Sequence, residues 1–224
     1  MRLLIYSFEA DYPNIVSGDR VADTETNLCI SGFVTQNLQR FRKEAMRGTA
    51  EKNKMKEVMV AAWDDLSISH TVRLFTSELL SIEFQLFHYH AMAFHPNTYT
   101  YTLNFRLHPS LQLELRDIFQ TSTDYLELLS RYCIDDLYRQ KLMRAAPNKQ
   151  WTQMLKNRED DWIHTGAGPV EKNYERHVVL ERGGIRVFFD PYQVECYAGG
   201  RFEVFVPSYD LKAVLNESII DLLY

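Results

Sequence analysis

Alternating apolar and polar side chains predict strands through the middle of the chain. Between residues 98 and 107, apolar side chains at odd positions alternate with polar ones at even positions, as in a strand with one apolar and one polar face. Residues 69–75 and 79–92 predict a hairpin that turns at residues 76–78. An opening strand is predicted over residues 3–12, and residues 111–115 predict a further hairpin partner.

A period of three to four residues predicts the helices. The apolar side chains of residues 23–47, from Ile30 to Ala45, form a single stripe on a helix. A second helix is predicted over residues 124–143, where the first residue, an aspartate, is a suitable N-cap. A short helix is expected around Trp151, and a last helix is expected from Ser208 to residue 222.

Residues 183–207 contain two strand-like runs, separated by a crossing that is rich in turn residues. The runs, residues 185–189 and 202–206, are β-branched or aromatic and are bounded by glycine and proline. Tyr192 and Tyr197 lie in the crossing, and tyrosine offers a large contact area at low entropic cost. We therefore predict that Tyr192 and Tyr197 are binding residues; the alternative is that one ring packs beneath the loop.

These elements together predict an α+β protein made of two adjoining modules. Strands that follow one another through short turns favour antiparallel pairing, so we expect antiparallel sheets, each packed against helices. Residues 1–107 are predicted to form an N-terminal module with a helix on an antiparallel sheet. Residues 108–224 are predicted to form a C-terminal α+β module.

Composition and charge exclude several classes of function. The chain has 224 residues and 46% hydrophobic content, which is enough apolar surface to fold without a metal or a disulfide. The net charge of −5 disfavours a nucleic-acid partner, because phosphate binding requires a basic face. Cys29, Cys133 and Cys196 are odd in number and far apart, which argues against a disulfide scaffold or a zinc site. Their spacing does not determine whether each thiol is free.

The sequence shows no membrane or targeting segment. No run of 18 apolar residues is present, and the first eight residues lack the pattern of a cleavable signal. Two locations are therefore left open. The protein is expected in the periplasm or at the cell surface if the chain is a trimmed ectodomain, and in the cytoplasm otherwise.

Three histidines are the strongest candidates for a reactive group. His88 and His90 share one face of a predicted strand, and His95 can return across a turn, a spacing that can hold zinc. The alternative function is thus a small metal-dependent hydrolase that uses His88, His90 and His95. No acidic residue or thiol adjoins them in sequence, so we expect ordinary histidines, no metal site, no cofactor and no catalytic residues.

Neighbouring carboxylates are the other feature that an enzyme, such as a glycosidase, would need. They occur at residues 64–65, 135–136 and 159–161. Their context is helix surface and loop, so they are predicted to be solvated charges.

Two blocks of sequence carry a resemblance to a known family. The first contains LLSIEFQLFHYHAMAFHPNTYTYTLNFRL followed by LQLELRDIF, and the second is GAGP followed by GIRVFFDPYQVECYAGGRFEVFVPSYDL. Together they resemble the paired modules of the anti-sigma factor RsiV family, which are also found as domains of unknown function beside polysaccharide deacetylase domains. The resemblance covers most of the chain. The chain departs from the family at residues 91–95, which lack its glycine turn, and at Arg106, where the family tends to have an acidic residue.

The resemblance implies a non-catalytic, extracytoplasmic recognition or sensor module of the bacterial cell envelope. In RsiV-like members the ectodomain binds lysozyme, and in deacetylase-linked members the modules accompany a wall-modifying enzyme. The implied partner is therefore a lysozyme-like protein or a cell-wall glycan. A signalling role is not implied, because the chain shows neither a transmembrane helix nor a catalytic domain.

Overall fold

The structure, a computed structural model, describes residues 6–52, 64–91, 93–121, 123–145 and 148–223. It is an α+β fold with a five-stranded and a three-stranded sheet packed against helices, which confirms the predicted fold class. Residues 3–5 and Met92, which the predicted strands include, lie outside the described residues.

The N-terminal sheet has the strand order β1-β2-β3-β4-β5. Its strands are β1 (Tyr6–Ala10), β2 (Asp64–Phe75), β3 (Leu79–Tyr89), β4 (Asn97–Leu107) and β5 (Ser110–Leu113). The strands β2 to β5 pair antiparallel, and the hairpin predicted around residues 76–78 is confirmed. The pair of β1 and β2 is parallel, unlike the antiparallel expectation. A long helix lies between these two strands in sequence, and such a crossover lets two neighbouring strands run in the same direction.

The helix α1 (Arg20–Lys52) covers one face of the N-terminal sheet and is longer than the predicted span of residues 23–47. Its predicted apolar stripe is confirmed, since Ile30, Val34 and Phe41 are buried. They pack in one core with apolar side chains of β2, β3 and β4.

The C-terminal sheet is antiparallel and consists of β6 (Val178–Glu181), β7 (Gly184–Phe189) and β8 (Phe202–Pro207). The remaining helices are α2 (Leu115–Ile118), α3 (Tyr125–Ala145), α4 (Lys149–Lys156), α5 (Asp161–Gly166) and α6 (Glu217–Ile220). α3 confirms the predicted second helix, and α4 confirms the short helix around Trp151.

The predicted last helix, from Ser208 to residue 222, is wrong. Residues 208–215 form turns and a bridge, and only α6 is helical. The backbone here closes short turns, such as the one in which Leu215 N donates to Leu211 O (2.8 Å), and it is also tied to a distant segment: Asn216 N donates to Ile118 O (3.0 Å) and Gln120 N donates to Val214 O (2.7 Å). The apolar spacing that predicted a helix is satisfied by turns that bury the same side chains.

The polar face of β4 is covered by the C-terminal sheet. Asn104 Nδ2 donates to Val178 O (2.9 Å), and the backbone N–H of Leu180 donates to Ser81 Oγ on β3 (2.9 Å). Asn104 and Ser81 are both buried. The alternating pattern therefore identified the two faces of β4 correctly. The structure, however, packs the polar face as well as the apolar one against other parts of the protein. The proposed boundary between residues 107 and 108 stays a prediction; it falls in the turn between β4 and β5, which pair with each other.

Glu83 on β3 is the centre of an ion network that joins the two sheets. Its side chain is fully buried and accepts hydrogen bonds from Arg73 (Nε–Oε2 2.8 Å), Gln85 (Nε2–Oε1 2.9 Å) and Arg201. Arg201 also pairs with Glu203 on β8. Burial by itself would raise the pKa of the Glu83 carboxyl, but hydrogen bonds from Arg201, Arg73 and Gln85 outweigh it and lower the pKa. The interface between the sheets thus contains a carboxylate that stays ionised at neutral pH.

Candidate functional site

The turn of residues 190–195 follows β7 and carries Tyr192. Within it, Tyr192 N donates to Glu195 O (2.9 Å) and Gln193 N donates to Asp190 O (3.0 Å). Both carboxylate oxygens of Asp190 lie 3.0 Å from the backbone nitrogen of Thr100 on β4, which donates to them. The turn is therefore tied to both sheets.

Gln193 fixes the same turn from beneath. Its Nε2 donates to the carbonyl oxygens of Gly166 (3.0 Å) and Asn173 (3.1 Å), and its Oε1 accepts from Asp190 N (3.2 Å). A Cβ on Gly166 would lie 1.8 Å from Gln193 O, so only glycine fits there. The GAGP segment and the turn, which are separate in sequence, form one packed unit.

Three rings pack together on this turn, and we call them the aromatic cluster: His95, Tyr192 and Tyr197. The His95 ring stacks on Tyr197 with ring centroids 3.7 Å apart and an interplanar angle of 19°. Its Nε2 lies 3.0 Å from the Tyr192 hydroxyl, and the two tyrosine centroids are 5.9 Å apart. Phe94, the chain neighbour of His95, is fully exposed and adds apolar surface.

Tyr192 is held in a conformation that non-glycine residues rarely adopt. Its φ is 71°, in the left-handed region, and the residue is 49% exposed. Such a conformation costs about 1–3 kcal/mol and persists only where surrounding contacts enforce it. Here the bonds of the turn enforce it, and the ring is displayed to solvent. The structure thus places both predicted binding residues in one cluster and adds His95; their role in binding stays a prediction.

A groove of about 440 Å³ lies between α1 and the ends of β2, β3 and β4, and we call it the histidine groove. Its lining includes Arg40, Phe41, Glu44, His88, His90 and Tyr99. The groove combines apolar walls with titratable side chains, which is the composition of many small-ligand sites.

His88 near the end of β3 and His90 directly after it lie on the same side of the chain, as predicted, with ring centroids 4.0 Å apart. The third member of their group is Glu44 of α1: one candidate ligand atom from each residue lies within 4.8 Å of the others. The predicted cluster of His88, His90 and His95 is therefore wrong. His95 belongs to the aromatic cluster, and its Nδ1 lies 3.0 Å from the carbonyl oxygen of Pro96. The loop after β3 directs His95 to the C-terminal sheet instead of back across β3.

His88 is a neutral imidazole at pH 7. Burial lowers its pKa, and the neighbouring His90 lowers it further, against weaker opposite effects of Glu44 and Asp64. His88 Nε2 is buried and has no hydrogen-bond partner. The histidine groove thus contains an uncharged imidazole with an unsatisfied ring nitrogen.

Two of the predicted solvated carboxylates are buried, so the prediction is wrong for Asp64 and Asp160. Asp64 Oδ1 accepts from the backbone N–H of Ala91 (2.7 Å). Asp160 Oδ2 lies 2.7 Å from Nζ of Lys141, a fully buried lysine that also pairs with Glu195 (2.9 Å). Both carboxylates have a structural partner that is distant in sequence.

Sequence reasoning missed Glu44 and Lys141. Glu44 precedes Ala45 of the buried stripe, so its helical phase places it at the edge of that stripe. That signal locates it near the sheet, but the packing of α1 decides that it meets His88. Lys141 carries no local signal, because lysine in a helix is normally solvated.

All three thiols are free: Cys133 is buried, and Cys29 and Cys196 are exposed. None of the helices in the described ranges combines the length and the apolar character that a membrane crossing requires.

Comparison with known proteins finds a matching family model and a distant curated relative. Residues 116–209 match the family model described as "Protein of unknown function (DUF3298)". The chain is 24% identical over 221 residues to the peptidoglycan-N-acetylmuramic acid deacetylase PdaC of Bacillus subtilis. The match covers 95% of this chain but 44% of that protein, so the chain spans less than half the length of this relative.

Two solved structures are similar to this chain. A crystal structure of a DUF3298 family member from Bacteroides fragilis aligns over 87% of this chain and 71% of its own, with a TM-score of 0.60 and 21% identity. A DUF3298 family protein from Pseudomonas aeruginosa aligns over 70% of this chain and 64% of its own, with a TM-score of 0.48 and 16% identity. At this identity the likeness to the Bacteroides fragilis protein shows the fold alone.

Proposed function

We propose that this protein is a non-catalytic recognition module of the bacterial cell envelope, which binds wall glycan through the aromatic cluster. The observation that carries the proposal is the display of Tyr192. Its half-exposed ring is held in a left-handed conformation by a turn that is tied to both sheets. Strain of this kind is concentrated at binding and catalytic sites, where it presents a side chain in a fixed position.

The chemistry of the aromatic cluster suits a sugar. Flat rings bury the apolar C–H face of a sugar, while tyrosine hydroxyls hydrogen-bond at its edge. Tyr192 and Tyr197 lie with centroids 5.9 Å apart and planes 33° from parallel, and so offer two neighbouring surfaces. Because the turn is already fixed, binding orders few additional side chains, which favours affinity.

Binding without turnover is the second part of the proposal. The one titratable imidazole of the aromatic cluster is engaged on both nitrogens, by the Tyr192 hydroxyl and the Pro96 carbonyl oxygen. A general base must reach the proton that it abstracts, and both nitrogens of His95 are already occupied by hydrogen bonds.

The relative supports a wall location. The name of PdaC states that it acts on the N-acetylmuramic acid of peptidoglycan. We propose from this likeness that the chain also works outside the cytoplasm, at the same polymer. The RsiV-like resemblance suggests a lysozyme-like protein as the other partner, which the same experiment tests.

The test is co-sedimentation of the purified chain with insoluble peptidoglycan, with Tyr192→Ala as the test variant. We expect the apparent Kd to rise at least about fivefold, because the loss of a central aromatic contact costs more than about 1 kcal/mol. Tyr209→Ala is the matched control: Tyr209 is 70% exposed and outside the aromatic cluster, and its removal should leave the Kd unchanged.

Calorimetry with lysozyme forms the second arm of the experiment. A different outcome is that the chain binds lysozyme and not peptidoglycan, with Tyr192→Ala weakening the lysozyme complex. That result would assign the aromatic cluster to a protein partner and overturn the proposal that it binds glycan. If Tyr192→Ala and Tyr209→Ala bind peptidoglycan with the same affinity, the aromatic cluster is not the binding site.

A further inference from the structure

The histidine groove brings together three side chains that bind transition metals. His88 lies near the end of β3, His90 follows directly after the strand, and Glu44 reaches them from α1. Ligand atoms on one tetrahedral zinc ion lie about 3.4 Å apart, given bonds of about 2.0–2.2 Å. The candidate atoms lie within 4.8 Å of one another, so a change of side-chain rotamer at the exposed Glu44 can close the set.

An aromatic ring lies against one imidazole, and a carboxylate lies near the other. The ring of Phe41 meets His88 edge-on, with centroids 5.1 Å apart and an interplanar angle of 72°. His90 Nδ1 lies 3.8 Å from Oδ1 of Asp64, a buried carboxylate behind the ring. At this separation the two groups are not hydrogen-bonded. A small shift of the ring would make the contact by which a carboxylate supports a metal-ligating histidine, fixing the ring and making the other nitrogen more basic.

His88 supplies a separate reason to expect a ligand. Its Nε2 is buried and has no hydrogen-bond partner. Leaving a buried polar atom unsatisfied is costly, and such atoms in folded proteins need an explanation. A metal ion shared with His90 and Glu44 would satisfy the imidazole.

We propose that Glu44, His88 and His90 form a binding site for a single divalent transition-metal ion, Zn²⁺ in the first place. Two imidazoles and one carboxylate favour zinc over magnesium or calcium, which prefer oxygen ligands only. Three protein ligands leave a fourth position, which faces the histidine groove beside Arg40 and Tyr99. This proposal does not depend on glycan recognition by the aromatic cluster. It differs from the expectation from sequence, which was that the protein has no metal site.

The test is calorimetric titration of the full chain with ZnCl₂ after dialysis against a chelator. Exposed thiolates also bind zinc, so the titration uses a Cys29→Ser/Cys196→Ser background. We expect one ion per chain. In this background, Glu44→Gln and His90→Gln should each weaken binding at least about tenfold, the loss caused by removal of a ligand or of its close support.

His108→Gln is the matched control, because it removes a histidine that also faces a carboxylate, Asp19, at 3.3 Å but lies outside the histidine groove. It should leave the zinc affinity unchanged. Circular dichroism checks that each variant is folded, and Glu44→Gln changes an exposed helix position whose loss does not threaten the fold.

The visible spectrum of the Co²⁺-loaded chain adds a readout that a purely structural role would not change. We expect intense bands of low-symmetry, four-coordinate cobalt, which Glu44→Gln removes. Absence of a stoichiometric site, equal affinity in Glu44→Gln and in the background, or an equal loss in His108→Gln would each overturn the proposal.

Discussion

Replacement of Glu83 by glutamine tests whether the buried ion network holds the two sheets together. The side chain of Glu83 is 0% exposed, while those of its partners Arg73 and Arg201 are 23% and 20% exposed. Glu83→Gln preserves the volume, removes the charge and turns an amide donor toward one of the two guanidinium groups.

The expected loss of stability is about 3 kcal/mol. Removing one partner of a buried ion pair costs about 3–5 kcal/mol, because the other charge is left uncompensated. The lower end applies here, since both arginines keep some solvent and Arg201 keeps its contact with Glu203. For a chain of this length, about 3 kcal/mol lowers the Tm by about 6–12 °C.

Urea unfolding at pH 7, followed by tryptophan fluorescence and far-ultraviolet circular dichroism, measures the change. Glu175→Gln is the matched control, since it makes the same substitution in a surface pair with Arg176 at 3.6 Å. Surface pairs contribute about 0–1 kcal/mol. A loss for Glu83→Gln no larger than that for Glu175→Gln would refute the reasoning.

The pH dependence of stability tests the same reasoning, because the lowered pKa of Glu83 fixes the direction in which stability changes with pH. The folded state lowers the pKa of Glu83 below 4.5, so the unfolded chain takes up this proton first as the pH falls. The stability that the carboxylate contributes is therefore fully present above about pH 4.5 and is lost as the pH falls through the lower, folded-state pKa. The difference in stability between the wild-type chain and Glu83→Gln should shrink over that window. A difference that stays constant down to pH 3 would assign the effect to shape, not charge.

Two further predictions concern buried groups of the C-terminal half. Lys141→Met should lower the free energy of unfolding in urea by about 3–5 kcal/mol, because Asp160 and Glu195 lose their cation, whereas the exposed Lys156→Met should change it by less than about 0.5 kcal/mol. A similar effect of both lysine variants would contradict the role assigned to Lys141. Burial raises the pKa of the Cys133 thiol, so a thiol reagent should modify two of the three cysteines in the native chain and the third only in urea. Equal rates at all three would show that Cys133 is accessible.

The local elements follow from the sequence because short periods in the chain encode them. The apolar stripe from Ile30 to Phe41 predicted α1 and its buried face, and the alternation over residues 98–107 predicted β4. These patterns reflect the geometry of a single helix or strand, which no distant residue changes. The same reasoning failed after Ser208, where short turns replace a regular helix and part of the backbone bonds to residues 118–120.

The candidate sites depend on contacts between residues that are distant in sequence. His95 meets Tyr192 across 97 positions, and Glu44 replaces it beside His88. Strand register and the crossing of α1 over the sheet set these pairs, and neither leaves a trace in local spacing.

The sequence by itself determined the α+β class, the approximate place of most elements, and that Tyr192 and Tyr197 lie between two strands. Only the tertiary structure decided that Thr100 and Asn104 on the polar face of β4 are buried, and that Glu83 and Lys141 are charged groups of the interior. The physical reason is that periodicity reports which side chains share a face, whereas burial of a polar or charged group depends on a partner elsewhere in the chain that compensates it.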